Sequence, residues 1–272
     1  PVAGLLAALV LATTPQFLKE AADGRVDMTL TAAVTVAQVL LIEAFRREAG
    51  RVLPLALGIV LALAMLAKGP VGPALVGLTA LAVAGGTRTL RPLARLARPL
   101  PIAIFVLIAG SWYGLAIWHR GWDFIAKQII SENGEALLGS DRFPWRSPFF
   151  YVDVLLAGGL PWTLVPPWAV VGAWRGGTAR RACLLWALAV FVLFSVAPLK
   201  RGAYMLPLRP ALAVVIGWWL ADVVRSDVVD ERAVRRVRAL AVVVGALALG
   251  VALIGVLASS GLMPAGALRS LA

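Results

Sequence analysis

Residues 52–84 read VLPLALGIVLALAMLAKGPVGPALVGLTALAVA, two apolar runs separated by the turn Lys68-Gly69-Pro70. A membrane-spanning helix needs roughly 20 apolar residues. Both runs are slightly shorter, which a helix end buried in protein accommodates. Gly69 permits a sharp turn and Pro70 suits a helix start. The pattern therefore predicts two antiparallel apolar helices with the Lys68 ammonium at their tips.

The same alternation of apolar runs and short charged loops extends along the 272 residues, which are 61% hydrophobic and 15% charged. Mean hydropathy is +0.88, whereas soluble domains are nearer half apolar and a quarter charged. We expect one all-α domain over 1–272, a polytopic transmembrane helical bundle of about nine membrane segments. The expected segments are Pro1–Thr14, Val26–Phe45, Val52–Ala67, Pro70–Ala84, Pro99–Trp118, Pro148–Trp174, Ala182–Pro198, Ala203–Val224 and Ala239–Ala258.

The arginines indicate the orientation of the bundle. Four loops on one face are rich in arginine, at 46–51, 88–98, 175–181 and 225–238, and the positive-inside rule makes that face cytoplasmic. The net charge of +12 is therefore mostly loop arginine and indicates membrane lipids, not nucleic acid, as the anionic partner. The expected location is a bacterial inner membrane, crossed several times.

The opposite, outer face collects all four lysines and a long loop at 119–147. We expect an amphipathic helix at the outer interface in this loop. Its apolar side chains are Trp118, Trp122, Phe124, Ile125, Ile129 and Ile130.

The N-terminus and the scarcity of cysteine and histidine each restrict the interpretation of the chain. Pro1 opens directly into apolar sequence without an initiator Met or a charged leader, so we interpret the chain as an N-terminally truncated fragment. The single cysteine, Cys183, excludes an intrachain disulfide, and the single histidine, His119, excludes a histidine pair for metal.

Two cationic turns are the candidate anion site. Lys68 closes an apolar helix, and Lys200 and Arg201 stand together in the turn 198–204 with Tyr204. Lys200 and Arg201 offer a point charge and a bidentate fork to a phosphate, and Tyr204 offers a hydroxyl. The alternative is that these cations snorkel to the interface from helix ends. Arg209, deeper in the next segment, is a second-rank candidate.

Acidic side chains on the same face are fewer. Asp27 starts a membrane segment, where it either caps the helix or faces a reaction centre. Glu132, Glu135 and Asp141 in the outer loop offer oxygen ligands or are simply solvated. The sequence leaves metal dependence open and gives no support for a divalent ion.

An ordered set of short motifs covers most of the chain to about residue 220. The stretches are Gly24–Leu30, Leu66–Gly72, Ser111–Tyr113, Ser131–Asn133, Pro148–Tyr151, Leu160–Trp162 and Phe194–Ala213. In this order they resemble the membrane glycosyltransferases of the GT-C superfamily. The most similar group is the family 39 branch, with bacterial lipid A aminoarabinose transferases and protein O-mannosyltransferases.

The resemblance implies an inverting transfer of a sugar from a polyprenyl-phosphate carrier to a lipid, glycan or protein acceptor. It implies that the catalytic base is an aspartate in an outer loop upstream of these residues. Asp27 matches a second, auxiliary aspartate, and Lys68 and Lys200 match positions near the lipid phosphate. The lid-like loop departs from the family pattern, since Ala136-Leu137 and Trp145-Arg146 replace its usual residues.

The sequence-based hypothesis is therefore a polyprenyl-phosphate-sugar-dependent glycosyltransferase with the donor phosphate held by Lys68, Lys200, Arg201 and Tyr204. The outer-loop candidates for the sugar or the acceptor are Glu132, Asn133, Trp145 and Arg146. The alternatives are a transporter or flippase for a lipid-linked glycan and a non-catalytic membrane scaffold. Candidate charges confined to one face favour chemistry there over alternating access.

Overall fold

The computed structural model describes residues 1–46, 50–127, 147 and 149–225, with single positions at 235, 239 and 242. Pro1–Ala221 forms one compact unit and Asp222–Ala272 a second. The helices of the described residues are α1 Val2–Ala12, α2 Pro15–Ala22, α3 Val26–Arg46, α4 Val52–Lys68, α5 Val71–Thr87, α6 Arg91–Leu96, α7 Pro99–Ile125, α8 Phe150–Gly158, α9 Pro166–Arg175, α10 Thr178–Val196 and α11 Arg209–Arg225. Short 3-10 helices cover Trp162–Leu164 and Gly202–Leu208.

Only some of these helices are long enough to cross a bilayer unaided. Within the described residues, four apolar stretches reach that length: Val26–Arg46, Pro99–Phe124, Thr178–Val196 and Gly202–Arg225. A fifth span results if α1 and α2, bent by 66° at their junction, count as one. Helices α4 and α5 are apolar but shorter. The all-α membrane architecture is confirmed, whereas the count of nine segments is not.

The expected segment Pro148–Trp174 is not one helix. The chain forms α8, then a 3-10 turn, then α9. The Gly158-Gly159 pair weakens the helix, and Pro166-Pro167 start a new one because proline fits only the first turn. The expected segment Ala239–Ala258 lies outside the described residues, apart from single positions.

The core is formed where α3, α4, α5 and α10 pack on one another, with the 3-10 helix Gly202–Leu208 packed against α3 and α10. Fully buried side chains include Leu41, Leu75, Trp186 and Met205. A polar contact also crosses the core, where the Gln38 amide donates to the Thr79 hydroxyl at 2.8 Å. Polar side chains that bond across helices in this way stabilise packing between membrane helices.

Glycine sets how closely some helices approach. A Cβ placed on Gly58 of α4 would lie 2.6 Å from the carbonyl oxygen of Pro101 in α7. A Cβ on Gly217 of α11 would likewise lie 2.6 Å from the carbonyl oxygen of Ala3 in α1. Both contacts need the absence of a side chain, which is how small residues let membrane helices pack backbone to backbone.

The two ends of α3 have different chemistry. At its first turn Asp27 contacts Lys68 at the end of α4. At its other end Arg46 lines a polar cavity of about 530 Å³ with the start of α10 at Gly177–Arg180 and with Trp218 of α11. The structure therefore separates an end that carries Asp27 and Lys68 from an end rich in arginine, as the sequence pattern predicts.

Helix α7 breaks near its end. Gly121 has φ 55°, a conformation that side-chain-bearing residues rarely adopt. After it the chain turns back, so that the Phe124 ring lies 5.7 Å from the Trp112 ring and 5.8 Å from the Tyr113 ring. Trp118 and Trp122 stay 85% and 68% exposed. The rest of the expected amphipathic helix lies outside the described residues.

Candidate functional site

The Lys68 ammonium joins three parts of the molecule. It forms an ion pair with the Asp27 carboxylate, and its nitrogen lies 4.5 Å above the centre of the Tyr204 ring. The tight turn that presents Lys68 depends on Gly69, whose φ is 69°. Because Tyr204 belongs to the second cationic turn, the contact brings both turns to the same end of the bundle. We call this end, formed by Asp27, Lys68, Lys200, Arg201 and Tyr204, the cationic end.

Lys200 is buried, with 3% of its surface exposed. Its ammonium donates to the carbonyl oxygens of Phe194, Ser195 and Ala197, at 3.3, 2.7 and 2.8 Å. Phe194 and Ser195 lie in the last turn of α10, where carbonyls lack partners within the helix, and Ala197 directly follows the helix. Lys200 therefore caps α10 with its charge at the negative end of the helix dipole. Burial lowers the pKa of the ammonium, because the charged form loses water. An incoming phosphate would compete with these three carbonyls.

Arg201 is exposed, and its backbone is anchored. The Arg201 N–H donates to the hydroxyl of Tyr151 in α8 at 3.2 Å. The Tyr204 ring, three residues further, packs on the Phe194 ring with centres 4.9 Å apart. The arrangement leaves the Arg201 side chain at the surface on a backbone held from α8, which suits a cation that binds a ligand.

Two side chains that sequence reasoning gave no role hold this end together. Tyr151 receives the Arg201 N–H and lies under the Lys200 ammonium, 5.5 Å from the ring centre. Gln16, at the start of α2, bonds both Gly202 and Arg209. Tyr151 could have been recognised from the sequence, because it is the last residue of the motif Pro148–Tyr151. The only signal for Gln16 was a polar residue directly after Thr14-Pro15, where a helix begins in apolar sequence.

The second-rank candidate Arg209 lies in the interior, with 3% of its surface exposed. It does not reach the surface with Arg201. Its guanidinium donates to the Gln16 side chain and to the carbonyl oxygens of Val154 and Leu155. Its geometry indicates a structural cation behind the second turn.

The candidates in the outer loop, Glu132, Asn133, Trp145 and Arg146, lie outside the described residues, as do Glu135 and Asp141. Within the part of the chain that the structure describes, no three His, Cys, Asp or Glu side chains come together to hold a metal ion. Asp27, the one candidate acid in that part, has the Lys68 ammonium as its partner.

An apolar groove lies on the surface of the bundle and extends to the C-terminal end of α10. It has a volume of about 420 Å³ and lies between α5 and α10, where Leu78, Leu185, Ala189 and Val192 are among its lining residues. The groove ends at Ala197, whose carbonyl accepts a hydrogen bond from Lys200. The apolar groove and the buried Lys200 ammonium are thus linked through Ala197.

Comparison with known proteins shows which families the chain is similar to. Residues 1–118 match the family model described as dolichyl-phosphate-mannose-protein mannosyltransferase. The undecaprenyl phosphate-alpha-4-amino-4-deoxy-L-arabinose arabinosyl transferase 1 of Sodalis glossinidius is 30% identical over 89% of this chain and 42% of its own length. The corresponding transferase of Pectobacterium atrosepticum is 29% identical over 86% of this chain and 42% of its own.

Solved structures agree with the sequence matches. The crystal structure of ArnT from Cupriavidus metallidurans bound to undecaprenyl phosphate superposes with a TM-score of 0.75 at 26% identity, over 81% of this chain and 41% of that one. The same protein in the apo state gives a TM-score of 0.72. The chain therefore spans about two fifths of the length of the relatives it matches.

The fold and the matches together confirm that the chain is related to the membrane glycosyltransferases of the GT-C superfamily. Within that superfamily it is similar to the aminoarabinose transferases, the branch that the ordered motifs indicated.

Proposed function

We propose that the protein transfers a sugar from an undecaprenyl-phosphate carrier to a lipid acceptor at the outer face of the bacterial inner membrane. The supporting observation is that both cationic turns meet at one end of the bundle through the Lys68–Tyr204 contact. Converging fixed charges at a membrane interface suit a lipid phosphate. The names of the similar transferases supply the donor class and suggest an aminopentose as the sugar.

In this proposal the exposed Arg201 and the partly exposed Lys68 contact the donor phosphate. They attract it in the ground state and stabilise the charge that it gains as it leaves the anomeric carbon. Tyr204 contributes its ring beneath Lys68 and its hydroxyl. Lys200 holds the turn by capping α10 and adds a positive field from the interior.

Asp27 orients the Lys68 ammonium in this proposal, since the two side chains are in contact. The base that activates the acceptor is then a group outside the residues of the cationic end. The groove between α5 and α10 would receive part of the polyprenyl chain, because it is apolar and ends beside Lys200.

The test is sugar transfer from a radiolabelled polyprenyl carrier in liposomes by the full-length protein. Arg201→Ala should raise the KM for the donor about tenfold, a loss of roughly 1.4 kcal/mol of binding. Arg25→Ala is the matched control, because Arg25 is also an exposed arginine but pairs with Glu20. Unchanged transfer by Arg201→Ala at normal protein levels contradicts the phosphate role.

A parent protein without transfer, but with movement of the labelled lipid between leaflets, would favour the transporter alternative. Neither transfer nor movement would favour the scaffold. The three functions are thereby separated in one preparation.

A further inference from the structure

Gln16 uses both ends of its side-chain amide. Its Oε1 accepts from Arg209 Nε at 2.9 Å and from Nη2 at 2.5 Å, and its Nε2 donates to the Gly202 carbonyl oxygen at 2.7 Å. A guanidinium only donates, so the amide oxygen must face Arg209. The amide nitrogen is then directed at Gly202, and the orientation of Gln16 is fixed by its partners.

The Arg209 guanidinium, which binds Gln16, is itself held by further hydrogen bonds. Its remaining bonds run to the carbonyl oxygens of Val154 at 3.0 Å and Leu155 at 3.3 Å, both in α8. Space for the guanidinium depends on glycine, since a Cβ on Gly158 would lie 2.9 Å from Nη2 and one on Gly159 would collide with Nη1. Among the described residues its hydrogen-bond partners are neutral. Burying a cation without an anionic partner costs desolvation free energy, which suggests that Arg209 has a specific role.

Gly202 is the residue that Gln16 holds in place; it follows Arg201 directly and starts the 3-10 helix. Tyr151 holds the Arg201 N–H, and Gln16 holds the carbonyl of the next residue. The backbone on both sides of the Arg201 Cα is therefore anchored, from α8 and from α2. Because the backbone is held, the Cα–Cβ bond of the exposed Arg201 side chain keeps one direction.

We propose that Gln16 is a positioning residue for Arg201, and that it transmits the rigid placement of Arg209 to the Gly202 carbonyl. The proposal rests on the proposed function, in which Arg201 contacts the donor phosphate. In this proposal Gln16 acts through the Gly202 carbonyl and not by contact with the donor or the acceptor. Its contribution is to reduce the conformational freedom that Arg201 would lose on binding, which is the general advantage of a preorganised site.

Gln16→Glu separates positioning from stability. A carboxylate still accepts from Arg209 and stays ionised beside that cation, but it cannot donate to the Gly202 carbonyl. We expect Tm at or above that of the parent, faster amide hydrogen exchange in peptides covering 198–208, and a KM for the polyprenyl donor raised about tenfold with kcat within about twofold. Ala22→Glu, at an exposed position of the same helix, is the control for the added charge.

A double-mutant cycle tests whether Gln16 acts through Arg201. In the Arg201→Ala background, Gln16→Glu should leave the KM unchanged, because the side chain that it positions is gone. An equal rise in KM in both backgrounds overturns the proposal. So does unchanged hydrogen exchange over 198–208, or unchanged KM in Gln16→Glu alone.

Failure of the proposed function is recognised separately. If the parent transfers no sugar, the same variants are compared for binding of undecaprenyl phosphate and for hydrogen exchange. Weaker binding and faster exchange in Gln16→Glu then support the positioning role at a phosphate site without transfer. Parent-like binding overturns it.

Discussion

At the scale of single residues, the Asp27–Lys68 pair is the most informative contact. The side chains are 17% and 29% exposed, so water still screens the pair. An ion pair of this kind contributes at most about 1 kcal/mol to stability. Its position beside Tyr204 therefore matters more for where the ammonium points than for how firmly the helices hold together.

Asp27→Asn should lower sugar transfer about tenfold or more while changing the free energy of unfolding by less than about 1 kcal/mol. The reason is that Lys68 loses the anion that orients it. Glu43→Gln removes the same charge at the opposite end of α3, where Glu43 pairs with Arg46, and should leave transfer unchanged. Parallel loss in both variants would show that only the net charge of α3 matters.

From the sequence one could predict on which face of the bundle the charged residues lie, but not which groups they contact. Charge against hydropathy assigned Lys68, Lys200, Arg201 and Asp27 to the same face of the bundle. It could not distinguish the capping role of Lys200 from the exposed position of Arg201, because adjacent residues with the same charge look alike in a sequence. The bond that Gln16 makes to Gly202 spans 186 residues, which no local pattern encodes.

At the scale of helices, packing between α4 and α7 depends on a glycine. Gly58→Ala places a methyl group against the backbone of Pro101, which cannot move aside as a flexible side chain would. We expect a loss of roughly 1–3 kcal/mol, the usual cost of overpacking, measured as a lower Tm in detergent. Gly77→Ala in α5 is the control, since no atom lies within 4 Å of its Cβ position, and should be neutral or slightly stabilising.

The groove between α5 and α10 gives a second prediction at this scale. Ala189→Phe fills the groove and should raise the KM for a long polyprenyl donor several-fold, while a donor with a short prenyl chain is affected less. Ala103→Phe adds the same ring at an exposed position of α7 and should change neither. Equal effects on both donor lengths would show that the prenyl chain lies elsewhere.

Helix boundaries followed from the sequence wherever an apolar run had clear ends. The predicted Val26–Phe45 and Val52–Ala67 differ from α3 and α4 by one residue at their ends. The prediction of Pro148–Trp174 as a single span was wrong. Mean hydropathy over this stretch is high in spite of Gly158-Gly159 and Pro166-Pro167, but these residues interrupt the backbone helix. Composition sets the class of segment, and backbone chemistry sets where it breaks.

At the scale of the whole molecule, ligand binding should be visible as stability. A phosphate lipid that binds only the folded state raises the free energy of unfolding by about 2.7 kcal/mol at 100 times its Kd. Undecaprenyl phosphate should therefore raise Tm, whereas undecaprenol of the same length should raise it less, because it lacks the charge that the cationic end binds. An equal shift with both lipids would assign the effect to the apolar chain alone.

The Asp27–Lys68 contact also bears on how the protein enters the membrane. The two residues are 41 positions apart, in consecutive long helices. At roughly 5–20 residues per second, Tyr204 leaves the ribosome on the order of ten seconds after Lys68. We expect the Asp27–Lys68 pair to form during that interval, before the Tyr204 ring arrives, because the carboxylate of α3 is the partner already synthesised.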